Sequence, residues 1–205
     1  MNRPTRMPVA DALETLTPLR TDRTLLITNQ GSAREWPKLC DTHPLDFHYI
    51  PSAMSEAIPL AVGLAIARPD LAVWVMTGDG SLIMNLGCLI TAAAAAPANL
   101  SIFLIDNGVY EVTGGQKTPS SQVDVDFAAL ASGSGIKSVL RANETRMWGA
   151  RVGGFFDLPG PRFAWLEVEP VFENYLLDPP CPIAEQLERL QLALVDHDRG
   201  HQTDH

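Results

Sequence analysis

Apolar runs alternate with longer helical patterns along most of the chain, and this alternation predicts its secondary structure. Five runs are short, and several are apolar at consecutive positions, which is typical of strands buried on both faces of a parallel sheet. They cover residues 24–28, 71–77, 100–106, 136–140 and 163–169. The stretches between and after them predict helices over 31–40, 54–67, 82–96, 124–132, 143–153 and 183–195.

Strands that alternate with helices predict a doubly wound α/β fold, with a mostly parallel sheet of about six strands and helices on both faces. The 205 residues suffice for one such domain, and we expect a single domain over 1–205. Its core is expected in about 20–170, followed by a C-terminal helix over about 183–195 and a disordered tail over about 197–205. We interpret the three histidines of the tail as solvated rather than as a metal site.

Net charge and cysteine usage exclude several classes of function. A net charge of −9 and a pI near 4.9 argue against binding to nucleic acid or to an anionic membrane, because either partner needs a basic surface. The first residues lack the apolar segment of a signal peptide, and the longest small apolar run, "CLITAAAAA", stops at Pro97. Cys40, Cys88 and Cys181 are isolated from one another, which favours reduced thiols in a cytoplasmic protein.

The stretch "TGDGSLIMNLG" places Asp79 between Gly78 and Gly80, directly after a predicted strand. Ser81 is suited to cap a helix that begins at Leu82, so the backbone N–H groups of 80–82 would face the carboxyl edge of the sheet. Such N–H groups bind anions such as phosphate. Because Asp79 would repel a phosphate, the sequence predicts a divalent cation between the two.

A second oxygen ligand for this cation follows at the end of the next predicted strand. There "LSIFLIDNGVY" presents the amide oxygen of Asn107, and a turn through Gly108 can present the backbone carbonyl of Val109. With Asp79, phosphate oxygens and water, these ligands can complete the octahedral shell that Mg²⁺ requires. Asp106 is expected to point to the other face of its strand, away from the metal.

"GDGS" and "DNGVY", each closing a predicted strand, resemble the thiamine diphosphate motif of the enzymes that use this cofactor. The resemblance runs from about 52 to 116 and, less specifically, through the strand near 169. It implies the thiamine diphosphate-binding fold, with Gly78, Gly80 and Ser81 at the diphosphate and Tyr110 packed beside it. It also implies Mg²⁺ held by Asp79, Asn107 and the Val109 carbonyl.

Met54 lies about 25 positions before Asp79, where the family has a bulky apolar residue that bends the cofactor into a V. The resemblance implies that Met54 has this role and that the Ser52 carbonyl and the Met54 N–H hold the aminopyrimidine edge. A methionine at the start of an apolar helix can equally be part of the core. Both interpretations of Met54 stay open at this stage. Glu56 is interpreted as a first-turn helix charge.

The stretch "EVTGGQKTPS" predicts a flexible loop over the cofactor, with Gln116 and Thr118 able to contact a substrate. Loops of this kind resemble two branches of the family. One contains the decarboxylases of sulfopyruvate and phosphonopyruvate, and the other the β subunits of 2-oxoacid:ferredoxin oxidoreductases. The oxidoreductases typically carry cysteine pairs for an iron–sulfur cluster, which this chain lacks, so a decarboxylase is favoured. A non-catalytic cofactor-binding scaffold subunit is the alternative from a different class.

The resemblance implies a partner as well as a cofactor and a 2-oxoacid substrate. In the family a glutamate on a separate pyrimidine-binding domain activates the aminopyrimidine, and 205 residues leave no room for that domain. We therefore expect a second, pyrimidine-domain subunit. Apolar surface around Met54, Ile58 and Val109 is expected to dock it or to cause self-association. His43 and His48 are candidate proton donors to the reaction, although a structural role is favoured for both.

Overall fold

The computed structural model describes residues 6–49, 54–172 and 181–201. A sheet of six parallel strands lies at the centre of the described chain, in the order β2-β1-β3-β4-β8-β7. Its strands are β1 (Thr24–Asn29), β2 (Asp46–Tyr49), β3 (Ala72–Gly78), β4 (Leu100–Asp106), β7 (Ser138–Ala142) and β8 (Arg162–Glu167). A small antiparallel hairpin is formed by β5 (Val109–Tyr110) and β6 (Gln116–Lys117).

Helices cover both faces of this sheet, which confirms the predicted doubly wound α/β fold. They are α1 (Val9–Glu14), α2 (Gln30–Glu35), α3 (Ala57–Ala67), α4 (Asp79–Met84), α5 (Gly87–Ala95), α6 (Pro119–Gln122), α7 (Phe127–Gly133), α8 (Thr145–Phe156) and α9 (Ile183–His201). No helix among the described residues is long and apolar enough to cross a membrane.

Consecutive strand residues belong alternately to two separate cores. In β3, Val73 and Val75 pack into one core, while Trp74 and Met76 pack into the other. Helices α3, α5 and α7 contribute to the first core, and α1 and α8 contribute to the second. The side chains of a strand point alternately to opposite faces, so a strand buried on both faces must be apolar at successive positions. This pattern is why the central strands were predictable.

The helix boundaries differ from the predictions where the chain is interrupted. The helix predicted over 31–40 ends at Glu35 and continues as a 3₁₀ turn through Pro37, whose ring nitrogen cannot donate a helical hydrogen bond. The helix predicted over 82–96 is two helices, α4 and α5, separated at Asn85. α9 extends to His201, beyond the end predicted near residue 195, and the rest of the predicted tail lies outside the described residues.

The strand order reverses between β1 and β3, and this reversal locates the site. From β1 the chain adds β2 on one side, whereas from β3 it adds β4 on the other. The helices that follow β1 and β3 therefore pack on opposite faces of the sheet. A crevice opens between them at the carboxyl edge of the sheet.

Candidate functional site

A cleft lies at this reversal point, lined by residues that follow β1, β3, β4 and β8. Eight of the residues predicted from the sequence line it: Met54, Gly78, Asp79, Gly80, Ser81, Asn107, Val109 and Tyr110. Ser52 lies outside the described residues. The structure therefore brings the two halves of the sequence motif together at one edge of the sheet.

Asp79 is buried at the base of the cleft, with only one of its carboxylate oxygens paired. Oδ2 accepts hydrogen bonds from Thr118 Oγ1 at 2.6 Å and from Ser120 Oγ at 3.1 Å. Oδ1 is buried and has no partner among the described residues. Burial raises the pKa of Asp79, and hydrogen bonds from Thr118, from Ser120 and from the backbone N–H groups of Gly108 and Asp79 partly offset this. A cation at Oδ1 would satisfy this buried oxygen.

Asn107 follows β4 and closes a turn with its own side chain. Its Oδ1 accepts a hydrogen bond from the Val109 N–H at 3.0 Å. Gly108 between them has a φ of +73°, a left-handed conformation that glycine adopts without strain. A carbonyl oxygen has two lone pairs, so Asn107 Oδ1 retains one acceptor position for a ligand in the cleft. The Asp106 carboxylate instead accepts from Trp165 Nε1 at 2.9 Å.

The helix after Asp79 begins earlier than predicted, and Ser81 does not cap it. Gly78 is extended at the N-cap position, and α4 starts at Asp79, where an acidic residue is favoured by the helix dipole. The free first-turn N–H groups are therefore those of residues 79–81. Ser81 Oγ accepts from the Ser55 N–H at 2.8 Å and from Asn29 Nδ2 at 3.1 Å. Ser81 thus ties α4 to the end of β1 and to the segment before α3.

The ring of Tyr110 packs over the first turn of α4. A Cβ added at Gly80 would lie 2.8 Å from Tyr110 Cδ1 and 3.3 Å from Thr118 Cγ2. Real Cβ contacts are longer than the first of these distances, so the packing requires glycine at this position. Tyr110 shapes the wall of the cleft in this way.

Met54 is half-buried, lies before α3 and lines the cleft. The helix predicted to begin there begins at Ala57, because Ser55 has a φ of +78° and Glu56 takes the N-cap position. Its role as a wedge under the cofactor stays a prediction. Ile58 is 3% exposed and belongs to the core, so its predicted place in an exposed docking surface is wrong.

Two residues predicted to contact a substrate lie elsewhere. Thr118 is 0% exposed and donates to Asp79, so it supports the site from beneath. Gln116 is exposed on β6, and its Nε2 donates to the Thr113 carbonyl at 3.0 Å. The predicted flexible loop is the β5–β6 hairpin, in which Gly114 and Gly115 supply positive φ angles.

Neither candidate histidine is among the residues that line the cleft. His48 is buried on β2, and its Nδ1 is 2.8 Å from Thr28 Oγ1. Burial lowers the pKa of His48. His43 lies in the turn before β2, where its Nδ1 accepts from the Leu45 N–H at 3.2 Å. Both contacts are those of structural histidines.

Sequence reasoning missed a buried ionic cluster on the opposite wall of the cleft. Glu111 and Glu35 are each 7% exposed, and both carboxylates contact Arg34, at 3.3 Å and 2.6 Å respectively. Glu111 also accepts from the Val171 N–H at 2.6 Å. Burial raises the pKa of Glu111, while the bonds from Val171, Arg34 and the Asn107 side chain lower it. One feature of the sequence could have pointed to this wall of the cleft. The stretch "NQGS" has a glycine and a serine directly after a strand, as "GDGS" does.

The oxygen atoms around Asp79 fit a hard divalent cation. Among the described residues, no three His, Cys, Asp or Glu side chains cluster as metal ligands. Asp79 Oδ1 is a buried carboxyl oxygen with no hydrogen-bond partner among the described residues, and Asn107 and Val109 line the same cleft. Mixed carboxylate, amide and backbone oxygens are the ligands that Mg²⁺ accepts.

Comparisons with known proteins agree with this geometry. Residues 32–163 match the thiamine pyrophosphate enzyme family, in its C-terminal TPP binding domain. The chain is 42% identical over 132 residues to a phosphonopyruvate decarboxylase of Streptomyces viridochromogenes, covering 64% of this chain and 32% of that protein. It is 36% identical over 161 residues to a sulfopyruvate decarboxylase subunit beta of Methanothermobacter thermautotrophicus, covering 78% and 81%.

A further relative belongs to a different kind of enzyme. The 2-oxoglutarate oxidoreductase subunit KorB of Mycobacterium tuberculosis is 36% identical over 105 residues, covering 51% of this chain and 27% of that protein. In fold, the chain resembles a Mycobacterium smegmatis protein described as a candidate thiamin diphosphate-dependent enzyme. The TM-score is 0.68 at 22% identity, covering 81% of this chain and 32% of that one.

The chain covers very different shares of the lengths of these relatives. The chain spans about a third of the length of the phosphonopyruvate decarboxylase, with 32% of that protein covered, but 81% of the sulfopyruvate decarboxylase beta subunit. The cleft, the two halves of its motif and the matched residues lead to one conclusion about family. The chain belongs to the thiamine pyrophosphate enzymes, in which it represents the C-terminal TPP-binding domain.

Proposed function

We propose that the chain is the thiamine diphosphate- and Mg²⁺-binding subunit of a 2-oxoacid decarboxylase of the sulfopyruvate or phosphonopyruvate type. The observation that carries this proposal is the unpaired Asp79 Oδ1, buried beside Asn107 at the carboxyl edge of the sheet. Three decarboxylases of these two acids match the chain over 132, 168 and 161 residues, which supports the type.

Each part of the cleft has a proposed role toward the cofactor. Asp79, Asn107 and the Val109 carbonyl would hold Mg²⁺, and the N–H groups of Gly80 and Ser81 would bind diphosphate oxygens. When bound, thiamine diphosphate supplies a nucleophilic carbon and an electron sink for the release of CO₂.

The protein's task is to orient the cofactor and to exclude water from it. Met54 would set the bend of the cofactor, and the Ser52 carbonyl and Met54 N–H would hold its aminopyrimidine edge. Tyr110 would close the wall beside the diphosphate. We assign no role to Gln116, because its side chain is exposed and bonded within the hairpin.

A second chain is part of the proposal. The match to a beta subunit over most of its length supports a partner that supplies the pyrimidine-binding domain and its activating glutamate. Apolar side chains available for such contacts remain exposed on α3 and α5, among them Leu60, Ile66 and Ile90. These positions replace Ile58 in the predicted docking surface.

Cofactor binding by the purified chain tests the metal site. Asp79→Ala should weaken Mg²⁺-dependent binding of thiamine diphosphate by at least about 100-fold, because it removes the anionic ligand. Asp70→Ala is the control, since Asp70 pairs with Arg68 at the opposite end of β3. Calorimetry that finds equal affinity in the two variants would contradict the proposal.

The oxidoreductase relative supports one alternative, a beta subunit of a 2-oxoacid oxidoreductase. The three cysteines are free and are not grouped with other ligands among the described residues, which gives no support for an iron–sulfur cluster. An assay of the assembled enzyme with an electron acceptor and coenzyme A separates the two functions. Reduction of the acceptor would favour the oxidoreductase, and CO₂ release without an acceptor would favour the decarboxylase.

A further inference from the structure

We propose that Thr118 is a positioning residue that fixes the Asp79 carboxylate, so that one of its oxygens stays free for the metal. This inference rests on the proposed function, because it concerns the same Mg²⁺ site. Thr118 is 0% exposed and directly follows β6, outside both halves of the sequence motif. It is not among the residues that line the cleft, so it can act on the metal only through Asp79.

The two oxygens of the Asp79 carboxylate have different surroundings. Oδ2 accepts a hydrogen bond from Thr118 Oγ1 at 2.6 Å and a longer one, at 3.1 Å, from Ser120 Oγ. Oδ1 is buried and has no partner among the described residues. Because turning the carboxylate about its Cβ–Cγ bond would break the bonds to Oδ2, the direction of Oδ1 is fixed before a metal binds.

Thr118 is the main donor to this carboxylate. A hydroxyl has one proton to donate, and an ionised carboxylate can only accept, so the proton of Thr118 Oγ1 is used for Asp79. Ser120 Oγ lies 2.9 Å from Thr118 Oγ1 as well as 3.1 Å from Asp79 Oδ2. Because Ser120 has one proton for two acceptors, loss of the Thr118 hydroxyl removes the stronger of the two bonds to Asp79.

The backbone of Thr118 is bonded to the other half of the motif. Its N–H donates to the Gly108 carbonyl at 3.0 Å, in the turn that presents the two other proposed metal ligands. Its methyl group packs against α4, since a Cβ added at Gly80 would lie 3.3 Å from Thr118 Cγ2. One residue therefore holds Asp79 in place relative to that turn.

Thr24 provides a matched control at the opposite edge of the sheet. It is 1% exposed at the start of β1, and its Oγ1 accepts from the Thr21 N–H at 3.0 Å. Valine has nearly the shape of threonine but no hydroxyl, so Thr24→Val and Thr118→Val each remove one buried hydroxyl. Only Thr118→Val removes a donor to Asp79, and it leaves the Thr118 N–H in place.

The test measures metal binding rather than turnover. Mn²⁺ replaces Mg²⁺ on the full chain in saturating thiamine diphosphate, and electron paramagnetic resonance reports free Mn²⁺. Thr118→Val should raise the Mn²⁺ Kd by about 10-fold or more, as is typical when a hydrogen-bond partner of a metal ligand is lost. Thr118→Ser keeps the hydroxyl and should stay within about 3-fold of the wild-type Kd. Thr24→Val should change the Kd by less than about 2-fold, because it lies far from the metal.

The outcomes separate this inference from the proposed function. An unchanged Mn²⁺ Kd in Thr118→Val, or an equal loss of affinity in Thr24→Val or in Thr118→Ser, would overturn the positioning role. Urea unfolding of the ligand-free variants checks that each is folded. Should Thr118→Val fail to fold, Ser120→Ala removes the second donor to the same oxygen and should raise the Kd by about 3-fold or more, and an unchanged Kd would overturn the role.

Asp79→Ala is the remaining arm of the experiment. Abolished Mn²⁺ binding in Asp79→Ala, together with an unchanged Kd in Thr118→Val, would leave the proposed function intact and overturn this inference alone. Mn²⁺ binding that survives Asp79→Ala, or is absent from the wild-type chain, would overturn the proposed function and this inference with it.

Discussion

At the residue scale, the cleft concentrates polar groups that the fold leaves without partners. Asp79 Oδ1 and Asn29 Oδ1 are both buried acceptors with no hydrogen bond among the described residues, and both residues line the cleft. Folded proteins pair most buried polar atoms, so two unpaired acceptors in one place indicate a site shaped for a ligand. The structure therefore gives up some stability here to keep binding capacity.

Glycine at position 80 is required by the ring of Tyr110, and this requirement can be tested. Gly80→Ala should destabilise the protein by about 1–3 kcal/mol, because the new methyl group meets Tyr110 Cδ1 at 2.8 Å. In a Tyr110→Ala background the same change should cost less. Gly63→Ala in α3 meets no atom within 4 Å and should stabilise by about 0.4–1 kcal/mol. Urea unfolding of the four variants checks these values, and equal effects in both backgrounds would contradict the packing argument.

At the element scale, the edge strand β2 depends on α9, which lies far from it in sequence. The His48 N–H of β2 donates to Gln186 Oε1 at 2.8 Å, and Arg189 Nη2 donates to the Asp46 carbonyl at 3.4 Å. Unpaired backbone groups on an edge strand attract other chains, so these side chains protect the edge of the sheet. Arg68 Nη1 holds α9 further along its length by donating to the Leu194 carbonyl at 2.8 Å.

Gln186→Ala should remove this protection. The expected cost is about 1–3 kcal/mol of unfolding free energy, because the His48 N–H is left buried without an acceptor. Gln191→Ala is the matched control on an exposed position of the same helix. Hydrogen exchange at the His48 amide should accelerate only in Gln186→Ala. Similar exchange in both variants would mean that Gln186 does not hold the strand.

The buried ring of His48 makes the packing of β2 sensitive to pH. Burial lowers its pKa, with Arg189 and Arg20 adding to the effect and Asp46 opposing it. The unfolded chain therefore takes up a proton at a pH where the folded chain does not, and stability should fall as pH drops below about 6.5. His48→Gln should show a smaller fall between pH 7.5 and 5.5 in urea unfolding. The same slope in both proteins would assign the pH dependence to other groups.

At the scale of the whole molecule, the cleft lies at one edge of a single sheet. A ligand bound there would contact this sheet edge from one side. The proposed ligands reach a diphosphate and its metal, whereas no activating glutamate for the aminopyrimidine has been assigned on this chain. The chain spans 32% of the length of the phosphonopyruvate decarboxylase that it matches. The match to a protein named as a beta subunit, over 81% of its length, is the observation that supports the proposed two-chain enzyme.

The purified chain alone is therefore expected to fold and to be inactive on 2-oxoacids. Adding a pyrimidine-domain chain should restore decarboxylation in the presence of Mg²⁺ and thiamine diphosphate, and Met54→Ala should then lower turnover more than cofactor binding. The assay measures CO₂ release from a panel of 2-oxoacids, including sulfopyruvate and phosphonopyruvate. Sustained turnover by the single chain would contradict the two-chain proposal.

The sequence by itself determined the central strands and the fold class, and it predicted residues that the structure places in one cleft. A run of consecutive apolar residues is a local property of the sequence, and seven consecutive residues predict each of β3 and β4. Asp79 and Asn107 were predictable because the carboxyl ends of adjacent parallel strands lie at the same edge of a sheet. The positions of these two residues could therefore be predicted without knowing which residues far apart along the chain contact one another.

Only the tertiary structure decided the features that depend on residues far apart along the chain. β2 has four residues with Asp46 and His48 among them, and it is a strand because β1 and α9 bind its two edges. Thr118 is buried because Asp79, 39 positions earlier, needs a donor. Glu111 contacts Arg34 across 77 positions. No local pattern records such contacts, since the free energy that favours them arises only when the folded chain excludes water from both partners.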